Sequence, residues 1–355
     1  MKIASSDIAL VRDYYPNSAG ILLTFKCNAM CEECCFECGP KNPFALTKEN
    51  IKNVIDQTSE MESVNFIVWT GGEAFLNYNL LLFSLEYAHK MGLRSRIVSN
   101  GFWARNKDVA KAKLKPLIDR GLIELNVSTG DNHQEYIPVE RALTAAISAV
   151  ELGILAFVTV ESTSNSTFKV DDVYKHELYT ELEKTDYDRS LFRAASTVWV
   201  SFHKDKKYSY DYDTPPMPEI ENGCDSLYQM INVDPKNQAL SCCGLAVEHI
   251  SELQLGKVTT EQNSLRNLYN QQKEDFMKQW LYVDGPITIL QKAKQWDPTI
   301  ESVKFVHFCQ TCAYIFNNPK VQKVIKENYT EIIEDVQKRF VSKIKLSSYL
   351  KGIRD

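Results

Sequence analysis

Residues 27–38 read Cys27-Asn-Ala-Met-Cys31-Glu-Glu-Cys34-Cys35-Phe36-Glu-Cys38, five thiols in a dozen positions. Cys27, Cys31 and Cys34 are spaced C-x3-C-x2-C. Thiolates are soft ligands that select zinc, copper(I) or iron–sulfur clusters. A [4Fe–4S] cluster normally takes four cysteines, so three on one loop leave one iron open. An open coordination position marks chemistry rather than a structural staple. The apolar run Ala19-Gly-Ile-Leu-Leu-Thr-Phe25 predicts a buried strand that ends at the first thiol.

Beyond the loop, Gly39-Pro40 and Asn42-Pro43 keep the backbone irregular. Thr47 then caps a helix with Ile51, Val54 and Ile55 at helical spacing. A strand from Val64 to Trp69 runs into Thr70-Gly71-Gly72-Glu73, and Leu80–Met91 reads as a helix. The strand Arg94–Val98 ends in Ser99-Asn100-Gly101. Helix, strand and helix follow at about 106–119, 122–128 and 138–152, with Ser128-Thr-Gly-Asp131 at that strand's end. A strand at 155–160, a helix near 172–184 and a strand near 196–202 complete the series. Strands alternating with helices of this length specify parallel β/α units, which wind right-handedly into an open sheet or a barrel. Six units are too few for an eight-fold barrel, so the expected fold is α/β, a partial (β/α)6 TIM-like barrel. Ligands of such folds sit at the carboxyl ends of the strands, where all the unusual residues lie.

The chain has 355 residues, is 44% hydrophobic and 25% charged, and carries a net charge of −5, with ten cysteines. That composition calls for a large core and speaks against nucleic acid or an anionic membrane as the main partner. No apolar run reaches transmembrane length, and Met1–Asp13 carries acidic residues where a signal peptide needs an apolar core. A cytoplasmic location and metal or redox use of the thiols follow. Lys204–Pro218 reads as a linker or surface loop, and Ile231–Leu240 as a hairpin turning at Asp234–Asn237. Its second strand delivers Cys242 and Cys243; Cys224 precedes it, and Cys309 and Cys312 follow as a C-x2-C pair. Residues 261–298 read as helical, and Val321–Phe340 carries a helical apolar stripe that packs on the barrel. The expected divisions are 1–205 for the barrel, 206–320 for a small cysteine-bearing region and 321–355 for a C-terminal helix.

The C-x3-C-x2-C triplet, followed by Gly71-Gly72-Glu73, Ser99-Asn100 and Ser128-x-x-Asp131, resembles the radical S-adenosylmethionine (SAM) enzymes over residues 20 to about 200. The resemblance implies that Cys27, Cys31 and Cys34 hold a [4Fe–4S] cluster whose free iron binds the amino and carboxylate groups of SAM. It implies that Gly71, Gly72 and Glu73 meet the methionyl ammonium, that Ser99 and Asn100 meet the methionyl or ribose region, and that Ser128 and Asp131 meet the ribose, with His133 nearby. The residue before the third cysteine, commonly aromatic in that family, is Glu33.

The longer form running through Cys35, Phe36 and Cys38 is similar to the radical SAM enzymes that modify ribosomally made peptides, most of all the epimerases of epipeptide biosynthesis. That likeness implies a precursor peptide as substrate, a small electron donor such as flavodoxin or ferredoxin, and a C-terminal auxiliary [4Fe–4S] cluster. It also implies a separate cysteine that returns hydrogen to the α-carbon. Five C-terminal thiols are available for four ligand positions, and neighbours on a strand face opposite ways. Cys224, Cys242, Cys309 and Cys312 are therefore assigned to the cluster and Cys243 to hydrogen donation, with the exchange of Cys242 and Cys243 left open.

Other readings stand beside these. The same site would serve a thioether or carbon–carbon crosslinking enzyme, or one that transfers an aminocarboxypropyl group. A non-catalytic iron–sulfur or zinc module is a reading from another class, and a four-cysteine structural zinc suits the C-terminal thiols. His249 and His307 lie near them as substitute ligands. Cys35 and Cys38 are either small buried hydrophobes, as free cysteines usually are, or a cluster neighbour or second hydrogen donor. Twenty residues before the first strand are too few for a peptide-recognition domain, which directs peptide binding to the barrel, the C-terminal region or another protein.

Overall fold

A computed structural model describes residues 11, 13–162, 166–200 and 223–352. The linker read at Lys204–Pro218 lies outside the described residues. Those described fall into two compact units. One begins at Ser18 and includes the hairpin tip Asn232–Gln238; the other comprises the chain before Ser18, residues 223–231 and everything from Ala239 onward.

The larger unit alternates β1 (Ser18–Leu22), α1 (Lys48–Ser59), β2 (Phe66–Thr70), α2 (Tyr78–Lys90), β3 (Arg94–Ser99), α3 (Lys107–Ile118), β4 (Leu122–Thr129), α4 (Val139–Glu151), β5 (Leu155–Ser162) and β6 (Phe192–Val198). All six strands pair in parallel, with Ser18 opposite Phe66 and Ser128 opposite Thr159. Their order, β6-β5-β4-β3-β2-β1, never reverses. A doubly wound sheet would reverse at its switch point; successive units here wind one way, as in a barrel. The single helix expected near 172–184 is instead two short ones, α5 (Val170–Lys175) and α6 (Glu177–Leu182), broken where His176 adopts an extended backbone.

Local chemistry sets the helix starts. Thr47 and Asn50 form a reciprocal capping box for α1, and Asn77 and Asn106 accept from Leu80 and Val109 amides to start α2 and α3. In β3–β5 alternate residues are buried, Ile97, Leu125, Val127, Val158 and Val160 among them, and each contributes roughly 1.5–3 kcal/mol. Ala142, Ala145, Ala146 and Ala149 bring α4 close to β4 and β5. The opposite face is polar and half-buried, with Arg96 paired to Glu124 at 2.5 Å and Thr159 Oγ1 donating to Asn126 at 2.9 Å.

β7 (Met230–Val233) and β8 (Gln238–Leu240) make the expected hairpin. Asp234 Oδ1 accepts from the Lys236 and Gln238 amides, and Asn237 takes the left-handed conformation that asparagine tolerates. In the smaller unit β9 (Gln254–Lys257) precedes α7 (Ser264–Gln271), α8 (Phe276–Trp296), α9 (Phe308–Asn317), α10 (Pro319–Asn328) and α11 (Ile333–Gly352). The last two replace the continuous helical stripe expected at 321–340. α8 bends at Gly285-Pro286, where Gly285 has φ +74°, and packs on α9, α10 and α11. Its Tyr282 meets Tyr228 edge-on at 5.1 Å and Phe340 at 5.9 Å, the aromatic centre of this unit. No helix among the described residues is long and apolar enough to cross a membrane.

Candidate active site

The first thiol group grows out of β1. Leu23 N donates to Thr70 O, and residues 39–46 then return alongside 23–27, with Phe25 N bonded to Phe44 O and Cys27 N to Gly39 O. The loop between is held by an apolar cluster of Leu22, Phe25, Cys27, Ala29 and Cys38, onto which Cys31, Cys34 and Phe36 pack. Phe25 stacks on Phe36 at 6.3 Å, and the Lys236 ammonium lies 5.5 Å over the Phe25 ring. Glu33 is buried, where an aromatic residue was the family's usual choice.

The three sulfurs have unequal surroundings. Cys27 Sγ accepts from the Ala29 amide at 3.4 Å and from Asn100 Nδ2 at 3.8 Å. Cys34 Sγ accepts from the Cys38 amide at 3.4 Å, and the Cys38 thiol donates to Phe36 O at 3.9 Å. Cys31 instead donates its own proton to Asn132 O at 3.7 Å. Burial pushes Cys27 up to about 11 and Cys31 higher, whereas hydrogen bonding from Cys38 brings Cys34 down. A bound cation reverses the burial penalty, because a coordinating thiol is deprotonated outright. Soft donors on one loop, two of them supplied with amide hydrogens, fit an iron–sulfur cluster.

Gly71 and Gly72 follow β2 directly against this loop. A Cβ on Gly71, whose φ is +138°, would stand 2.3 Å from Thr24 O, and one on Gly72 would stand 2.3 Å from Lys26 O. Gly72 N and Glu73 N bond to those two carbonyls. The glycines were expected to admit a ligand; the chain itself requires them, because the turn is joined backbone to backbone with the residues preceding Cys27. Glu73 is 1% exposed. Its carboxylate accepts from Phe75 N, Ser99 Oγ and Asn100 N at 2.8–3.1 Å. Burial nevertheless pushes its carboxyl up to about 7. No lysine or arginine pairs with it among the described residues, so it is a buried carboxyl group supplied with hydrogen-bond donors but with no lysine or arginine beside it.

Ser99 also accepts from Trp103 Nε1, and Asn100 Nδ2 reaches Asn28 Oδ1 at 3.0 Å. The structure thus brings Glu73, Ser99 and Asn100 together beside Cys27. Ser128 is half-buried near the end of β4, across from Thr159. Asp131 is turned to another task, holding Thr167 and Phe168 through both carboxylate oxygens.

Sequence reasoning missed Glu161 altogether and gave His133 no task. Glu161 is 1% exposed at the end of β5 and accepts from Asn132 N at 2.7 Å, His133 N at 3.1 Å and His133 Nδ1 at 2.6 Å. Gly130, with φ +135°, leaves the space this carboxylate fills: a Cβ there would stand 2.3 Å from Glu161 Cδ. The same segment grips the cysteine loop, with Tyr136 Oη on Met30 O and Cys31 Sγ on Asn132 O. The available signal was a lone carboxylate at the carboxyl end of an otherwise apolar strand.

The second thiol group lies wholly in the smaller unit. Cys224, Cys242, Cys309 and Cys312 line one apolar cavity of about 420 Å³ counting its open mouth, with Leu281 and Phe308. Gly223, at φ +83°, lets the chain run against α8, so that Cys224 N bonds Leu281 O at 2.9 Å. His307 Nδ1 accepts from Cys309 N and caps α9, the helix that carries Cys309 and Cys312. Neither His307 nor His249 lines the cavity. Gly244 lies at the sulfurs: a Cβ there would be 3.3 Å from Cys309 Sγ and 3.4 Å from Cys242 Sγ. Burial pushes Cys309 up to about 12 and Cys242 upward as well. Cys243 is exposed, its thiol 3.8 Å from Ser226 Oγ. Among the described residues no three His, Cys, Asp or Glu side chains stand at the spacing of a single metal ion. The four thiols surround a volume rather than a point, which suits a cluster.

Residues 21–163 match the profile of the Radical SAM superfamily. That segment is a radical SAM domain. The chain is also similar to the putative peptide biosynthesis protein YydG of Bacillus subtilis (strain 168), with 28% identity over 123 residues. The match takes in 35% of this chain and 39% of that relative's length. Among solved structures, BtrN in complex with AdoMet and 2-DOIA matches at 13% identity and a TM-score of 0.44, over 76% of this chain and 89% of that one. SuiB of Streptococcus suis bound to S-adenosylmethionine matches at 13% identity and a TM-score of 0.42, over 76% and 69%. The radical SAM domain spans β1 to β5 and contains the three thiols of the first group, the Gly-Gly-Glu turn and the His133–Glu161 pair.

Proposed function

We propose that the chain is a radical SAM peptide epimerase that converts L- to D-residues in a ribosomally made precursor peptide. The observation that carries this reading is the parting of two neighbouring thiols. Cys242 is buried in a cavity with three other cysteines, and Cys243, the next residue, is exposed. In this reading inversion at an α-carbon uses one thiol kept out of any cluster and open to substrate. The name of the Bacillus relative, a peptide biosynthesis protein, supports the substrate class.

In this reading Cys27, Cys31 and Cys34 hold a [4Fe–4S] cluster, and Cys224, Cys242, Cys309 and Cys312 hold an auxiliary one. Glu73 is the counter-charge for the ammonium of SAM, which would supply the cation this buried carboxylate lacks. Gly71 and Gly72 set its height, and Ser99 and Asn100 hold it toward Cys27. Ser128 and Asp131 face the ribose, Asp131 only after releasing Thr167 and Phe168. When bound, the cluster and SAM would together supply the chemistry that removes a hydrogen atom from the α-carbon of a peptide residue. Cys243 returns a hydrogen atom from the other face: its S–H bond breaks, a C–H bond forms and a thiyl remains. The thiyl regains one electron and one proton from an external reductant such as flavodoxin or ferredoxin. The cytoplasm, where such thiols stay reduced, is the proposed location.

The test is turnover in deuterium oxide. Wild-type protein is expected to give a peptide of unchanged connectivity with one deuterium at an inverted α-carbon. Cys243→Ala should still form 5′-deoxyadenosine while yielding no labelled D-residue. A labelled epimer from that variant removes Cys243 from the mechanism. A product lighter by two hydrogens indicates crosslinking instead, and one heavier by an aminocarboxypropyl group indicates transfer.

A further inference from the structure

Cys243 is exposed, and an exposed side chain left to itself samples several staggered rotamers. Its thiol instead has a partner, donating to Ser226 Oγ at 3.8 Å. Ser226 also lines the cavity that holds Cys224, Cys242, Cys309 and Cys312. One residue therefore touches the exposed thiol and forms part of the wall around the other four. The turn that carries Ser226 is fixed from two sides. Cys224 N bonds Leu281 O at 2.9 Å and Leu227 N bonds Cys224 O at 3.2 Å, which closes the chain around Asp225 and Ser226. The Asp225 carboxylate pairs with Lys343 Nζ at 2.8 Å, and the same ammonium donates to Tyr282 O at 2.7 Å, tying the turn to α11 and α8.

We infer that Ser226 is a positioning residue for hydrogen donation, its hydroxyl holding the Cys243 sulfur in one rotamer beside the four-cysteine cavity. The inference rests on the reading that Cys243 is the hydrogen donor. Hydrogen is delivered efficiently from a sulfur already aligned with the acceptor carbon, and a side chain free to rotate loses that alignment. With the sulfur anchored, delivery needs only a turn of the S–H bond about Cβ–Sγ, away from Ser226 Oγ and toward the α-carbon. The S–H bond breaks and the C–H bond forms, and Ser226 leaves the step unchanged. A hydroxyl suits this post because it accepts from the thiol and, once that hydrogen has gone, donates its own to the bare sulfur. An apolar side chain at 226 would do neither.

The experiment compares the anaerobically reconstituted full chain as wild type, Ser226→Ala, Ser226→Gly and Ser226→Thr. One readout needs no turnover: the infrared S–H stretch of Cys243, recognised by its loss from Cys243→Ala. With seven of the ten cysteines taken as ligands, only Cys35, Cys38 and Cys243 keep an S–H bond, so the band is readable. It is expected to move to higher frequency in the alanine and glycine variants and to stay in place in threonine. The other readout is labelled D-residue formed per 5′-deoxyadenosine in deuterium oxide. That ratio should fall roughly threefold to tenfold in alanine and glycine, the order set by one neutral hydrogen bond, and stay near wild type in threonine. Iron content and the SAM-responsive electron resonance signal should be equal in all four proteins. An unmoved band or an unchanged ratio in alanine and glycine, or threonine matching them, overturns the inference. Iron lost from both alanine and glycine proteins also overturns it, since Ser226 would then serve the cavity. Labelled epimer from Cys243→Ala would instead refute the hydrogen-donor reading beneath it, with the band still reporting the contact.

Discussion

The two thiol groups are built in opposite ways. Cys27, Cys31 and Cys34 lie within eight consecutive residues of one loop, half open, with amide hydrogens aimed at two of the sulfurs. Cys224, Cys242, Cys309 and Cys312 come from three separated stretches of chain and line an apolar cavity. A loop that must admit a cofactor keeps part of its coordination open and uses hydrogen bonds to adjust the sulfurs. A cavity that encloses its contents needs only four soft ligands and dry walls. On the proposed reading, the contrast separates a site shaped for chemistry from one shaped for retention.

The largest effect that would break this contrast concerns iron content. Wild-type protein should hold about eight iron atoms, two four-iron clusters. Cys31→Ala is expected to hold about four and to form no 5′-deoxyadenosine, whereas Cys309→Ala also holds about four but keeps the SAM-responsive signal. Metal analysis finding zinc in the cavity of the Cys31→Ala protein would end the two-cluster description. Next comes Glu161→Gln, which removes the anion from a buried pair. It should cost about 1–3 kcal/mol in denaturant unfolding and loosen the grip of segment 130–136 on the cysteine loop. Unaltered stability would show that the carboxylate positions nothing.

A comparable effect concerns Glu73. Its carboxyl is raised from the usual 4.5 to about 7 by burial, so the folded chain keeps a proton between those values that the unfolded chain releases. Its contribution therefore falls as pH rises from about 4.5 to about 7 and is flat above. The cofactor-free protein should lose on the order of 3 kcal/mol relative to Glu73→Gln across that window. Saturating SAM, by supplying a cation, should reduce the slope; an identical slope with SAM would remove Glu73 as its partner. The smallest expected effect is that of Gly244→Ala, whose methyl would press on Cys242 and Cys309 sulfurs. It should cost about 1 kcal/mol and lower occupancy of the cavity alone, read as iron content with the SAM-responsive signal unchanged.

The β/α alternation and the position of the cysteine loop were legible because each rests on neighbours in the chain. Apolar runs of strand length end at Gly71-Gly72-Glu73, at Ser99-Asn100 and at Ser128-Thr-Gly, and the parallel register follows once those runs are aligned. The reasons behind individual residues were less legible. Gly71 and Gly72 read as room for a ligand, yet they answer to the carbonyls of Thr24 and Lys26. Asp131 read as a ribose contact, and it closes a loop onto Thr167 and Phe168. Glu161 passed unnoticed because its partner, His133, stands 28 residues before it.

The sequence by itself determined the run of parallel β/α units and the three-thiol loop that follows the first strand, since spacing along one loop and apolar periodicity along successive segments are properties of covalent neighbours. It left the exchange of Cys242 and Cys243 open, grouped Cys224 with Cys309 and Cys312 only through a resemblance, and did not foresee that the Glu73 carboxylate accepts directly from Ser99 and Asn100. Those were decided by tertiary packing. Burial and hydrogen bonding depend on which distant segments enclose a side chain, and adjacent residues can meet entirely different surroundings.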